Sequence, residues 1–111
     1  MIPDDEITEL KAITPNIQLY QEAGVPYLLI PELVLPTGCH PERTDALLCP
    51  APRDGYPSRL FFSERINSLR PCNWNANGVR IIERNWHAFS WKVNGTLRLA
   101  QLLAAHLRAL Q

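Results

Sequence analysis

The chain predicts an α+β domain: a four-stranded antiparallel meander, preceded by a short N-terminal helix and packed on one face by a C-terminal helix. Three observations predict it. Between positions 17 and 62, short apolar runs are separated by Pro and Gly clusters at hairpin spacing. Near the end, leucines recur at spacings of three and four, the period of a helix with one buried face. The length of 111 residues supports one core but not two, so residues 1–111 read as a single compact domain.

The elements follow in order. Pro3 and the acids Asp4, Asp5 and Glu6 precede Ile7, Leu10 and Lys11, so negative charge sits at the positive end of a helix macrodipole. That helix is short, because Pro15 cannot continue it. Residues 17–22 alternate apolar and polar, Ala23-Gly24 offers a turn, and residues 25–30 form a second extended run, with Leu33-Val34-Leu35 able to prolong it past Pro31. Pro36-Thr37-Gly38 ends that run. Residues 43–49 give a third strand and residues 59–62 a fourth, with Gly55-Tyr56-Pro57 forcing a rigid turn between them. Roughly thirty residues of irregular chain then carry Trp74, Trp86 and Trp91. Loops beyond about 15 residues are uncommon without a function, so this stretch is expected to be the working face. Asn94 or Thr96 is expected to cap a final helix bearing Leu97, Leu99, Leu102, Leu103, Leu107 and Leu110.

Composition excludes several functions. Eleven basic and eleven acidic residues give a formal net charge of zero, which offers a phosphate backbone little attraction. No apolar run reaches the roughly 18 residues that span a bilayer, and the acidic start is unlike a secretion signal, so a cytoplasmic protein is expected. Cys39, Cys49 and Cys72 are an odd number without CxxC spacing, which argues against a disulfide framework. No spaced ligand pairs complete a metal site, and no cofactor is expected.

The candidate chemistry centres on Cys72, between Pro71 and Asn73 with Arg70 nearby. A guanidinium favours a thiolate, and an adjacent amide can steady a thioester oxyanion. The alternative is a loop cysteine without a duty. Cys49 lies in an apolar strand and reads as core. Cys39-His40 reads as an exposed turn, and His106 as a helix-face residue. His87, flanked by Trp86 and Trp91, is either a general base or a structural histidine that hydrogen-bonds a loop carbonyl under two packed rings. The three tryptophans are either packing for a small core or anchors for a protein partner.

The ordered set Leu35-Pro36-Thr37-Gly38, residues 41–48, Gly55-Tyr56-Pro57, Trp86-His87 and Trp91 resembles the bacterial ubiquitin-conjugating enzyme (UBC) superfamily group called prokaryotic E2 family E. The resemblance covers about residues 16–110 and implies a compact UBC-like fold. It implies work beside a ubiquitin-like protein, an adenylating activating enzyme and a JAB-type deconjugating peptidase. In a standard conjugating enzyme a His-Pro-Asn motif is followed by the catalytic cysteine. Here Pro71-Cys72-Asn73 matches that motif only at Asn73, and the nucleophile position falls on Ile81 or Ile82. Isoleucine forms no thioester.

Two functions follow from that departure. One is an adaptor without chemistry of its own, binding the ubiquitin-like protein or its activating enzyme through Tyr56, Trp74, Trp86 and Trp91. The other is a conjugating enzyme with a displaced nucleophile, Cys72, assisted by Asn73 or His87.

Overall fold

A computed structural model describes residues 2–111. The first helix, α1 (Asp4–Ile13), carries Asp4, Asp5 and Glu6 in its first turn and Lys11 in its last. The Thr14 N–H closes it on the Leu10 carbonyl at 2.8 Å, and Pro15 follows. Strands β1 (Gln18–Glu22) and β2 (Val25–Val34) are joined by Ala23 and Gly24, with φ of 52° and 78°. Two successive left-handed residues match the twist of a hairpin, and glycine takes one of the positions at no steric cost.

Pro31 does not end β2. The register shifts between Ile30 and Leu33, and within that bulge Glu32 adopts φ 52°. A bulge tolerates the missing N–H of a proline, which is why the strand continues. Asp45 on β3 (Arg43–Cys49) accepts the Glu32 N–H at 2.9 Å and pairs with Arg84 at 2.9 Å. Burial opposes ionisation there, but these bonds hold the Asp45 carboxyl below its ordinary range.

The four-stranded expectation requires correction. Beyond β4 (Arg59–Phe62), half of the supposed irregular stretch is a hairpin of β5 (Trp74–Ile81) and β6 (Arg84–Phe89). The sheet has six antiparallel strands in the order β1-β2-β3-β4-β6-β5. A single residue pair, Phe62 with His87, joins the hairpin to β4. The hairpin therefore swings away and covers one face of the sheet, and Glu22 on β1 accepts the Ile82 N–H at its tip.

Two cores result. The helix-side core gathers Leu10, Leu28, Ile30, Leu48, Phe62, Leu102 and Leu110, among others. The hairpin-side core gathers Tyr27, Leu47, Phe61, Ile81 and Trp86. With both faces covered, β3 and β4 need no polar side, and Ala46-Leu47-Leu48-Cys49 and Leu60-Phe61-Phe62 are continuous buried runs.

The last helix, α2 (Leu99–Leu107), buries Leu99, Leu102, Leu103 and His106 and ends in a 3-10 turn, Arg108–Leu110. Each leucine fully withdrawn from water contributes about 1.5–3 kcal/mol. Neither Asn94 nor Thr96 caps this helix. It starts after Arg98, whose N–H bonds Gln101 Oε1 at 3.1 Å, while Glu6 of α1 accepts the Leu99 N–H at 3.0 Å. Arg98 bridges Asp5 at 2.6 Å and Glu9 at 2.8 Å. The acids of α1 thus serve the other helix as well as their own, and the Arg98 hydrogen bond holds the Asp5 carboxyl below its usual range. No helix among the described residues is long and apolar enough to cross a membrane.

Candidate functional site

Most of the candidate residues meet at the open end of the β5–β6 hairpin. Trp74 pairs with Phe89, and the Ser90 N–H donates to the Asn73 carbonyl at 2.7 Å, which sets Cys72 opposite Trp91. Alternation along the strand then sends neighbouring side chains to opposite faces. Cys72, Trp74 and Trp91 lie against the helix-side core. Trp74 meets Phe89 and Phe62 edge-on, at centroid distances of 5.2 and 6.0 Å. Trp91 donates from Nε1 to the Ala105 carbonyl on α2 at 3.1 Å. Arg65 and Arg70 lie over the Trp74 and Trp91 rings at 6.0 and 5.3 Å. Both rings are half-buried, with a guanidinium on the outside.

Tyr56 occupies the other face of the same end. Its hydroxyl donates to Ser90 Oγ at 3.0 Å and accepts from Asn75 Nδ2 at 2.8 Å. Arg59, buried, lies 4.4 Å from the Tyr56 ring centroid and bonds both Asp54 and Asn75. The Ser90 and Asn75 hydrogen bonds, with the Arg59 charge, hold the Tyr56 hydroxyl below its usual range. The amide engaged here is Asn75. The side chain of Asn73 is exposed.

The Cys72 thiol is half-buried and aims at carbonyls: Ala109 at 3.5 Å and Arg70 at 3.6 Å, with Ser68 Oγ at 3.9 Å. Both carbonyls are hydrogen-bond acceptors, so the contacts occupy the sulfur with backbone. No imidazole is among its partners. His87 stands four positions before Trp91, about 13 Å away along the strand at about 3.3 Å per residue. Its Nδ1 accepts the Gly78 N–H at 3.2 Å, an N–H on β5 rather than a loop carbonyl. Cys72, Asn73 and His87 therefore do not converge.

Trp86 is also separate. It is fully buried in the hairpin-side core, donates from Nε1 to the Ile81 carbonyl at 3.0 Å, and presents no ring to a partner. Ile81 is fully buried beside it. Ile82 sits in the tight hairpin turn with φ 45°.

The exposed-turn reading of Cys39 is corrected, and His106 lies on the buried face of α2. Cys39 is buried, its sulfur 4.0 Å from the Leu110 carbonyl, and burial raises its thiol above the ordinary range, with Cys72 nearby adding to the effect. His106 is buried too, its Nε2 2.9 Å from Ser58 Oγ. This pair closes off from solvent and ties the start of β4 to α2, which leaves it no route to act as nucleophile and base. Neither Asn75 nor Ser90 stood out in the sequence, because their roles come from hairpin pairing that carries no residue-type signal. Among the described residues, no group of three or more acidic, His or Cys side chains is placed to hold a metal ion. Comparisons with protein-family models, with curated proteins and with solved structures each return no match.

Proposed function

We propose that this protein is a UBC-like, E2-like component of a bacterial ubiquitin-like conjugation pathway, acting as an adaptor that binds the ubiquitin-like protein or its activating enzyme. The JAB-type peptidase would act in the same pathway. The observation that carries the adaptor reading is the Cys72 thiol, directed at the Ala109 and Arg70 carbonyls with no base beside it. A thioester enzyme needs its sulfur free and deprotonated. The ordered resemblance of the Leu35-Pro36-Thr37-Gly38 and Gly55-Tyr56-Pro57 turns supports the pathway. The binding surface is the hairpin end, where Tyr56, Trp74 and Trp91 retain part of their surface in solvent.

The test mixes the protein with the cognate activating enzyme, ubiquitin-like protein and nucleotide. On a non-reducing gel the adaptor reading expects no reducible adduct. It also expects a complex, seen by size-exclusion chromatography, that survives Cys72→Ala and is lost in Trp91→Ala. A reducible adduct abolished by Cys72→Ala would establish the enzyme instead.

A further inference from the structure

We infer that the outer edge of β1 is a self-pairing surface, through which two copies of this chain join their sheets into one antiparallel sheet. The inference stands apart from the conjugation reading and uses none of its residues.

β1 is the terminal strand of the sheet, and all five of its side chains are exposed, Leu19 at 54 % and Tyr20 at 40 %. Its backbone direction follows from its partner. Gln21 faces Pro26, which has no N–H to exchange, and the two-residue turn closes on the Glu22–Val25 pair. Alternation then points the backbone groups of Gln18, Tyr20 and Glu22 towards β2, and the N–H and C=O groups of Leu19 and Gln21 outwards. Among the described residues, no turn or loop hydrogen bond engages those outward groups.

Natural sheets guard their edges with proline, lysine, bulges or a covering segment. The opposite edge of this sheet obeys that rule: β5 has two register shifts and Gly78 at φ 71°. On β1 such guarding is slight: Ile2, Asp4 and Ile7 flank Leu19, Tyr20 and Gln21 and Glu22 is its one charge, yet all five side chains stay exposed. Its sequence, Gln-Leu-Tyr-Gln-Glu, lacks proline and lysine, and its five pairs with β2 run without a shift.

The strand's own pattern selects the occupant. A two-fold axis must set outward residues against outward residues, and the register centred on Tyr20 is the one that pairs all five positions. In it Leu19 faces Gln21 of the second copy, and Gln21 faces Leu19, giving four N–H···O bonds. Tyr20 meets Tyr20 of the second copy as a closely spaced aromatic pair. Glu22, the only charge on the strand, falls opposite the neutral Gln18. A five-residue edge buries little surface, so the expected dimer is weak, half-dissociated at roughly 100 μM.

Analytical ultracentrifugation of the whole chain from roughly 5 to 500 μM tests this around that midpoint. Wild type should pass from monomer to dimer. Leu19→Pro removes only an outward N–H, and Tyr20→Lys opposes two cations across the axis; both should remain monomeric with an unchanged circular dichroism spectrum. An equimolar mixture of Tyr20→Lys and Tyr20→Glu should recover the dimer. Should Leu19→Pro perturb folding, the exposed Tyr20 pair decides the question alone. A wild type that stays monomeric throughout, or a dimer that Tyr20→Lys leaves intact, overturns the inference.

Discussion

Ser58 Oγ and His106 Nε2 lie 2.9 Å apart, both side chains almost wholly withdrawn from water, with Arg59 contributing an unfavourable positive charge to the imidazole. Burial first, and that charge second, push the His106 pKa down to about 4 from 6.5. The folded protein therefore refuses a proton that the unfolded chain accepts. Stability is complete above the unfolded value and is lost as pH falls from 6.5 towards 4. Wild type should lose about 3 kcal/mol across that window from this group. His106→Gln, which keeps a hydrogen-bonding side chain but does not titrate, should flatten most of that slope in urea unfolding measured at several pH values.

Ile82 and Glu83 form the β5–β6 turn with φ of 45° and 65°. A β-branched residue in the left-handed region is strained by about 1–2 kcal/mol. Replacing the pair by Asn-Gly should raise the stability of the protein by about that amount, read as a shift in denaturation midpoint. An unchanged midpoint would mean that the packing of the Ile82 side chain against the hairpin-side core offsets the strain.

A Cβ on Gly38 would stand 2.7 Å from Leu69 Cγ, and Gly38 itself has φ 94°. Leu69 is 78 % exposed and can move aside, whereas the backbone cannot. Gly38→Ala should cost about 1–2 kcal/mol, and adding Leu69→Ala should restore less than half of it. Full recovery in the double mutant would place the whole cost in the side-chain clash.

Trp86 fills the hairpin-side core and satisfies the Ile81 carbonyl. Trp86→Ala should destabilise by about 3–5 kcal/mol. A value below 1 kcal/mol would mean that the hairpin contributes little to the fold.

Of the three thiols, Cys72 alone keeps part of its surface in water, and burial raises both Cys39 and Cys49 above their ordinary range. Native protein at neutral pH should be alkylated by iodoacetamide at Cys72 alone, read by mass spectrometry, and at all three thiols only in denaturant. Fast labelling at Cys39 would show that the 3-10 turn opens readily.

The first four strands and both helices were legible because each follows one local rule: a Gly-containing turn, an unbroken apolar run, a leucine period. Strands β5 and β6 escaped notice because Asn73, Asn75, Asn77 and Gly78 look like loop, and Ile82-Glu83 carries none of the usual turn residues. The face they bury is dictated by β3 and β4, strands earlier in the chain. The start of α2 is hidden from the sequence for a related reason: Glu6, at the far end of the chain, is the residue that satisfies the Leu99 N–H. At the site, Tyr56, Cys72, Trp74 and Trp91 are legible as residue types but Asn75 and Ser90 are not, and sequence neighbourhood suggests that Cys72, Asn73 and His87 act together. Strand alternation and distance separate them.

Only α1, through Leu10, precedes the central sheet among the elements that cover it; the hairpin and the final helix are encoded after it. During synthesis the ribosome therefore releases a sheet with one face open and the other covered in part. Full shielding waits for the last third of the chain, so stalled translation products should be ready clients for chaperones.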